Sequence, residues 1–216
     1  PTRLQLWWRL LLSRRRRPTR PTVTIRKGEA WGSVGPLPDG AVIIRSDGEL
    51  HRLVHDARST GRPLPPVALL GGSLMRAVGG TGDERRLAGE VAVLPVDVVR
   101  VELHDTAAGS TGASTTWSAA HVIVRRGWWR GPIVAAMNAE FVGVWDVTPR
   151  GHPNDGRVDL LEVSPTMSVR DRLRARGRLA AGTHLPHPAI AVRQTASVER
   201  TFERPMRVWV DGVPAG

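Results

Sequence analysis

Between Ile133 and Val163 the chain reads IVAAMNAEFVGVWDVTPRGHPNDGRVDLLEV, and no other stretch limits the fold so tightly. Ile133 to Met137 is a short apolar run, the pattern of a buried strand, and it leads into Asn138. A second apolar run spans Phe141 to Val147. The polar loop His152-Pro153-Asn154-Asp155-Gly156 follows, and a third strand is expected from Val158 to Val163. Asn-Asp-Gly is turn chemistry, because these residues tolerate the left-handed backbone that tight turns require. Short strands separated by short polar turns predict a largely antiparallel β lobe.

The flanking sequence agrees with that expectation. Val99, Val101 and Leu103 alternate with Arg100, Glu102 and His104, the two-residue period of a strand. His121 to Arg125 and Ile133 to Met137 flank Arg126-Gly127-Trp128-Trp129-Arg130-Gly131, which reads as a hairpin. Ser168 to Leu179 is an arginine-rich helix candidate, and Ala189 to Val210 contains further β-like runs.

Upstream the pattern changes to short alternating α and β. Thr22 to Arg26 and Ala41 to Arg45 read as strands, and Ala30 to Gly40 reads as a loop. Ser46 or Asp47 can cap a helix from Gly48 to about Ser59, on which Leu50, Leu53, Val54 and Ala57 share one face. Val67 to Leu70 is the next strand, and Gly71-Gly72 opens a helix near Ser73 to Val78. The fold class expected is therefore α+β: a small, truncated α/β part over 21–94, then a mostly antiparallel β-sandwich lobe over 95–216. The 216 residues are ample for a core.

Residues 1–20 form a separate, basic and amphipathic segment. Its leucines, with Trp7 and Trp8, make a helix-compatible apolar patch ended by Arg14 to Arg17. Such a segment suits an anionic membrane surface, or packs as a helix on its own domain. Lys and Arg total 31 against 20 Asp and Glu, a net charge of +11, and Lys27 is the sole lysine. The codon bias of a GC-rich bacterial genome also produces arginine in this excess. No nucleic-acid motif accompanies the charge, so no specific nucleic acid is expected as a partner, and a basic nucleic-acid binder ranks third among the readings.

The absence of cysteine excludes a disulfide scaffold, a thiolate metal site and a Cys nucleophile. No apolar run approaches the roughly 20 residues that span a bilayer, and no signal-peptide pattern opens the chain. The expectation is a cytoplasmic protein, peripheral on the inner face of the membrane if residues 1–20 anchor it. A homodimer is compatible with the sequence.

Several short motifs follow one another along the chain: Pro95-Val96-Asp97, Met137-Asn138-Ala139 with Gly143, Thr148-Pro149, Asn154-Asp155-Gly156-Arg157-Val158-Asp159, Gly182-Thr183-His184 and the closing Val210-Asp211-Gly212. In that order they resemble the C-terminal lobe of the bacterial diacylglycerol kinase and sphingosine kinase superfamily over about residues 91–213. The resemblance implies ATP-dependent phosphorylation of a membrane lipid hydroxyl, with ATP and Mg²⁺ as cofactors. It places the phosphate contacts at Gly71, Gly72, Ser73 and Arg76, in the register Leu70 to Gly79; Gly80-Thr81-Gly82-Asp83-Glu84 is an alternative register. It places a structural Mg²⁺ at Asp155, with main-chain oxygens near His152 and Arg157.

Two departures weigh against catalysis. The family's Gly-Gly-Asp-Gly-Thr loop is absent, and Val213 stands where the proton-accepting Glu follows the terminal Asp-Gly, leaving Asp211 as the nearest catalytic candidate. A non-catalytic relative that binds lipid or a partner protein is the alternative. Each proposed site also has an ordinary reading: Gly71-Gly72 as a strand-helix turn, Asn154-Asp155-Gly156 as a metal-free hairpin, and Trp128-Trp129 as the closure of the β core rather than a membrane contact. His184 and His187 are separated by Pro186 and make a poor zinc pair.

Overall fold

In the computed structural model, residues 6–12, 31–105 and 113–215 are described. Strand β1 (Leu6–Leu12) opens the chain, followed by β2 (Ser33–Pro36), β3 (Val42–Ile44), helix α1 (Asp47–Thr60), β4 (Val67–Leu69) and helix α2 (Gly72–Ala77). A 3-10 turn (Glu84–Ala88) leads to β5 (Glu90–Val93) and then to the β lobe. That lobe contains β6 (Val99–Asp105), β7 (Ala113–Ser118), β8 (His121–Arg125), β9 (Ile133–Met137), β10 (Phe141–Val142), β11 (Trp145–Asp146) and β12 (Val158–Val163). Helix α3 (Val169–Leu179), β13 (Ile190–Thr195), β14 (Ser197–Phe202), β15 (Arg207–Val210) and β16 (Val213–Pro214) complete it.

Two antiparallel sheets dominate. One has four strands in the order β14-β1-β6-β7, and the other six in the order β13-β12-β9-β8-β15-β16. Alternation explains how they meet. Val99, Val101 and Leu103 of β6 join Val122 and Val124 of β8, Val134 and Ala136 of β9, Val158 and Leu160 of β12, and Val208 and Val210 of β15 in one buried cluster. The intervening residues of the larger sheet face the other way. Ile123, Ile133, Ala135, Met137 and Leu161 build a second cluster, which Leu179 of α3 helps to cover. The six-stranded sheet is thus apolar on both faces, which is why β8 and β9 read as unbroken apolar runs.

The α/β part is small. β3 and β4 pair in parallel, Val42 against Val67 and Ile44 against Leu69, with α1 as the crossover. Ile44, Leu50, Val54 and Leu74 pack against Ala119, Ala120 and Ala139, fixing this part to the β7–β8 turn. Ser46 caps α1, its Oγ accepting from Glu49 N at 3.2 Å, while Glu49 Oε2 accepts from Arg45 N at 2.8 Å. The first contact satisfies one of the free N–H groups at the helix start, and the second holds the residue just before the cap.

Two expectations are corrected. The patch expected as a helix is a strand: β1 lies between β14 and β6, with Trp8 opposite Arg200 on one side and Leu103 on the other. A chain inserted between two strand edges satisfies backbone groups on both, a gain that periodicity within so short a segment cannot register. The β lobe therefore includes Leu6–Leu12 and is not confined to 95–216. Ser33–Pro36, expected as loop, pairs with β5. The strand expected at Thr22–Arg26 lies outside the described residues.

Candidate functional site

The turns that end β3 and β4 lie side by side because the strands are parallel, the place where open α/β sheets usually receive ligands. Here the space is filled from within. The Asp47 carboxylate accepts from Ser73 N at 2.8 and 2.7 Å and from Leu74 N at 3.2 Å, so it caps α2 from the neighbouring turn. Gly72 has φ +93°, and a Cβ there would collide with the Asp47 carboxylate. A Cβ at Gly71 would collide with the Arg45 carbonyl. Both glycines are needed for this close approach. Ser73 is 1% exposed, and its Oγ accepts from Gly143 N at 3.0 Å. Arg76 turns away, its guanidinium 5.7 Å from the centre of the Phe141 ring.

Asp211 is saturated as well. It sits in the left-handed region at φ 50°, and its carboxylate accepts from Ser118 Oγ at 2.8 Å and from the backbone N–H groups of Ala119, Ala120 and His121 at 2.8–2.9 Å. It acts as the anion of a backbone nest that fixes the β7–β8 turn. Burial outweighs the charge of His121 and these hydrogen bonds, so the Asp211 carboxyl is pushed up from its ordinary value. His51 Nδ1, which donates to the Trp117 carbonyl at 2.8 Å, lies 3.9 Å from Asp211 Oδ2. A Cβ on Gly48 would lie 3.3 Å from Val213 Cγ2, so the start of α1 abuts the closing Asp211–Val213 turn. Three segments thus meet in one corner: the start of α1 at Asp47–Gly48, Gly71–Ser73 and Asp211–Val213.

The Asp155 loop is held both by its own hydrogen bonds and by Asp97 and Gln194. Asp155 Oδ1 accepts from Arg157 N at 2.9 Å and Oδ2 from Gln194 Nε2 at 3.4 Å. His152 Nδ1 accepts from Asn154 N, and Asp97 Oδ2 accepts from Gly156 N at 2.7 Å. Among the described residues, no group of three or more His, Asp or Glu side chains could hold a metal ion. Asp159 carries a carboxyl pushed up to about 6, first by burial and then by the charge of Asp155. Asn138, flagged in the sequence, is a strut: its Nδ2 donates to the carbonyls of Asp97 and Ala119 at 3.0 and 2.7 Å.

The feature that sequence reasoning missed lies on the outer face of the six-stranded sheet. A cavity of about 200 Å³ opens between that face and α3, floored by Ile123, Ile133, Ala135 and Leu161 and flanked by Trp145 and Leu179. Trp128 and Trp129 stand at its mouth, 42% and 39% exposed. The Arg176 guanidinium lies 5.6 Å from the ring centres of both Trp129 and Trp145. Arg125 is held between Trp128 and Trp209, at 3.9 and 4.1 Å. The Trp128-Trp129 pair thus both touches the lobe and remains partly open to solvent. Its residues come from several separated segments, so no local motif announces the cavity; the one signal was tryptophan beside arginine in the 126–131 hairpin.

His184, 3% exposed, also lines the cavity; Nε2 contacts the Val147 carbonyl at 3.1 Å, and burial lowers its proton affinity. His187 Nδ1 accepts from Ala189 N instead of pairing with it. Among the described residues, no helix is long and apolar enough to cross a membrane. The sequence matches no protein-family model and no curated protein.

Proposed function

We propose that this protein is a lipid-binding module resembling the C-terminal lobe of the lipid kinases, acting at a membrane lipid without transferring phosphate. The observation that carries this reading is the apolar cavity beneath α3, with its tryptophan- and arginine-lined mouth. Ligand sites are typically concave, mostly apolar and supplied with few polar groups. Exposed tryptophan beside arginine suits an anionic bilayer surface, where an amphipathic ring and a charged head both find partners. The Asp47 carboxylate in the Gly71–Ser73 turn supports the non-catalytic side, because a phosphate would meet a like charge there. The saturated Asp211 supports it too, since a proton acceptor must be free to reach its donor.

The purified chain, incubated with a bacterial lipid extract and re-isolated, is expected to retain lipid on mass analysis. Val163→Trp, which fills the cavity, should retain none while keeping its circular dichroism spectrum. A wild-type protein that emerges without lipid would refute the reading.

The kinase reading is second and rests on the meeting of Asp47–Gly48, Gly71–Ser73 and Asp211–Val213. Asp47-Gly48 directly follows β3 at the start of α1, beside the Gly71–Ser73 turn. Labelled ATP, Mg²⁺ and the same extract distinguish the two: labelled lipid that disappears with Asp47→Ala would establish phosphoryl transfer.

A further inference from the structure

We propose that the cavity beneath α3 binds a long-chain fatty acid, its chain along the sheet and its carboxylate against Arg176 and Arg172. The proposal rests on the lipid-binding reading above and names the ligand class. It starts from an imbalance of charge. Arg172 is 5% exposed, and its guanidinium donates to four backbone carbonyls: Met167, Trp128, Gly131 and Ser164. Four of the five guanidinium N–H groups are thereby used, leaving one on Nη1. Among the described residues, neither Arg172 nor Arg176 forms an ion pair with a carboxylate, and no Asp or Glu lines the cavity. Buried cations are ordinarily paired, so this wall favours an anionic ligand.

The form of the site selects among anionic lipids. Its interior is apolar apart from these arginines and His184, which fits a hydrocarbon chain. At about 200 Å³ it is smaller than the roughly 300–1,000 Å³ typical of ligand pockets, so it encloses part of one chain and has no room for two. The exposed Arg176, steadied by Trp129 and Trp145, supplies a planar fork that pairs bidentately with a carboxylate or a phosphate, so the count of donors decides between them. A phosphate head has a third oxygen and would need donors beyond Arg176 and the single remaining N–H of Arg172.

Tryptophan fluorescence of the full chain, titrated separately with oleate, oleyl alcohol, 1-oleoyl-lysophosphatidate and 1,2-dioctanoylglycerol, tests this. Oleate should bind at least about tenfold more tightly than oleyl alcohol. Arg176→Gln should remove that difference by weakening oleate alone; Arg176 is exposed, so the variant should fold normally. Alcohol or lysophosphatidate binding as tightly as oleate would overturn the proposal, as would an unchanged preference in Arg176→Gln. Binding of dioctanoylglycerol alone would also overturn it while leaving the lipid-binding reading intact. No response to any of the four would overturn both.

Discussion

Asp47 shows how a single side chain can decide the character of a turn. Its carboxylate takes the place at the start of α2 that an external anion would otherwise occupy, and Gly72 is required to let it in. Gly72→Ala should therefore cost about 2–4 kcal/mol, since it combines a left-handed φ with a collision. Asp47→Ala removes the carboxylate from that collision and leaves the Asp47 backbone N, 2.9 Å from the added Cβ, so the double variant should be less destabilised than the two single costs added but still less stable than Asp47→Ala alone, as urea melts of all four proteins would show. Asp211→Ala leaves four buried donors without an acceptor and should cost about 3 kcal/mol in the same assay. Glu140 and Asp146 give a pH signature. Burial raises both carboxyls, with Asp146 adding to the effect on Glu140 and His184 opposing it at Asp146. A raised acid binds its proton more tightly in the folded state, so its contribution to stability is full below the ordinary carboxylate range near pH 4. That contribution is lost as pH rises through the folded value. Asp146→Asn should lessen the fall in melting temperature above pH 4, while Asp159, pushed up to about 6, sustains the part that remains; an unchanged profile would show that the Asp146 carboxyl is not shifted.

At the scale of elements, α3 is the informative case. Ser168 caps it, accepting from Asp171 N at 3.1 Å, and most of its arginines face solvent. Arg172 alone is buried, and it ties the helix to the 126–131 hairpin and to the turn before α3. Hydrogen bonds to a charged donor are worth more than neutral ones, and losing this donor strands four carbonyls at once. Arg172→Met should keep the side-chain volume but cost about 3 kcal/mol, and trypsin should then cut at Arg126 and Arg130 far sooner. Equal cleavage in both proteins would mean that Arg172 does not hold the hairpin. The helix itself was legible from Ser168 and the arginine-rich run. The inward turn of one arginine among several was not, because it depends on where the hairpin carbonyls lie.

For the molecule as a whole, the consequential pairing is the earliest. β1 fills the gap between β6 and β14, so deletion of residues 1–12 would leave two strand edges open on one face of the sandwich. Open edges pair with other chains. The shortened protein should elute as larger species in size-exclusion chromatography and unfold at lower urea; a monomer of unchanged stability would show that β1 adds nothing.

Much of this architecture was legible in sequence. The alternation of Val99, Val101 and Leu103, the apolar runs at 121–125 and 133–137, and Gly71-Gly72 after Val67–Leu70 each reflect local geometry: a strand's period, two-sided burial, a turn no side chain permits. The fold class follows from such local rules, because backbone conformation and burial pattern are written residue by residue. Only the tertiary structure decided what the sites contain. That Asp47 rather than an outside anion meets Ser73, that Asp211 is spent on the Ser118–His121 turn, and that α3 covers an apolar cavity all depend on side chains far apart in sequence. Their meeting is set by sheet order and packing, which local sequence does not encode.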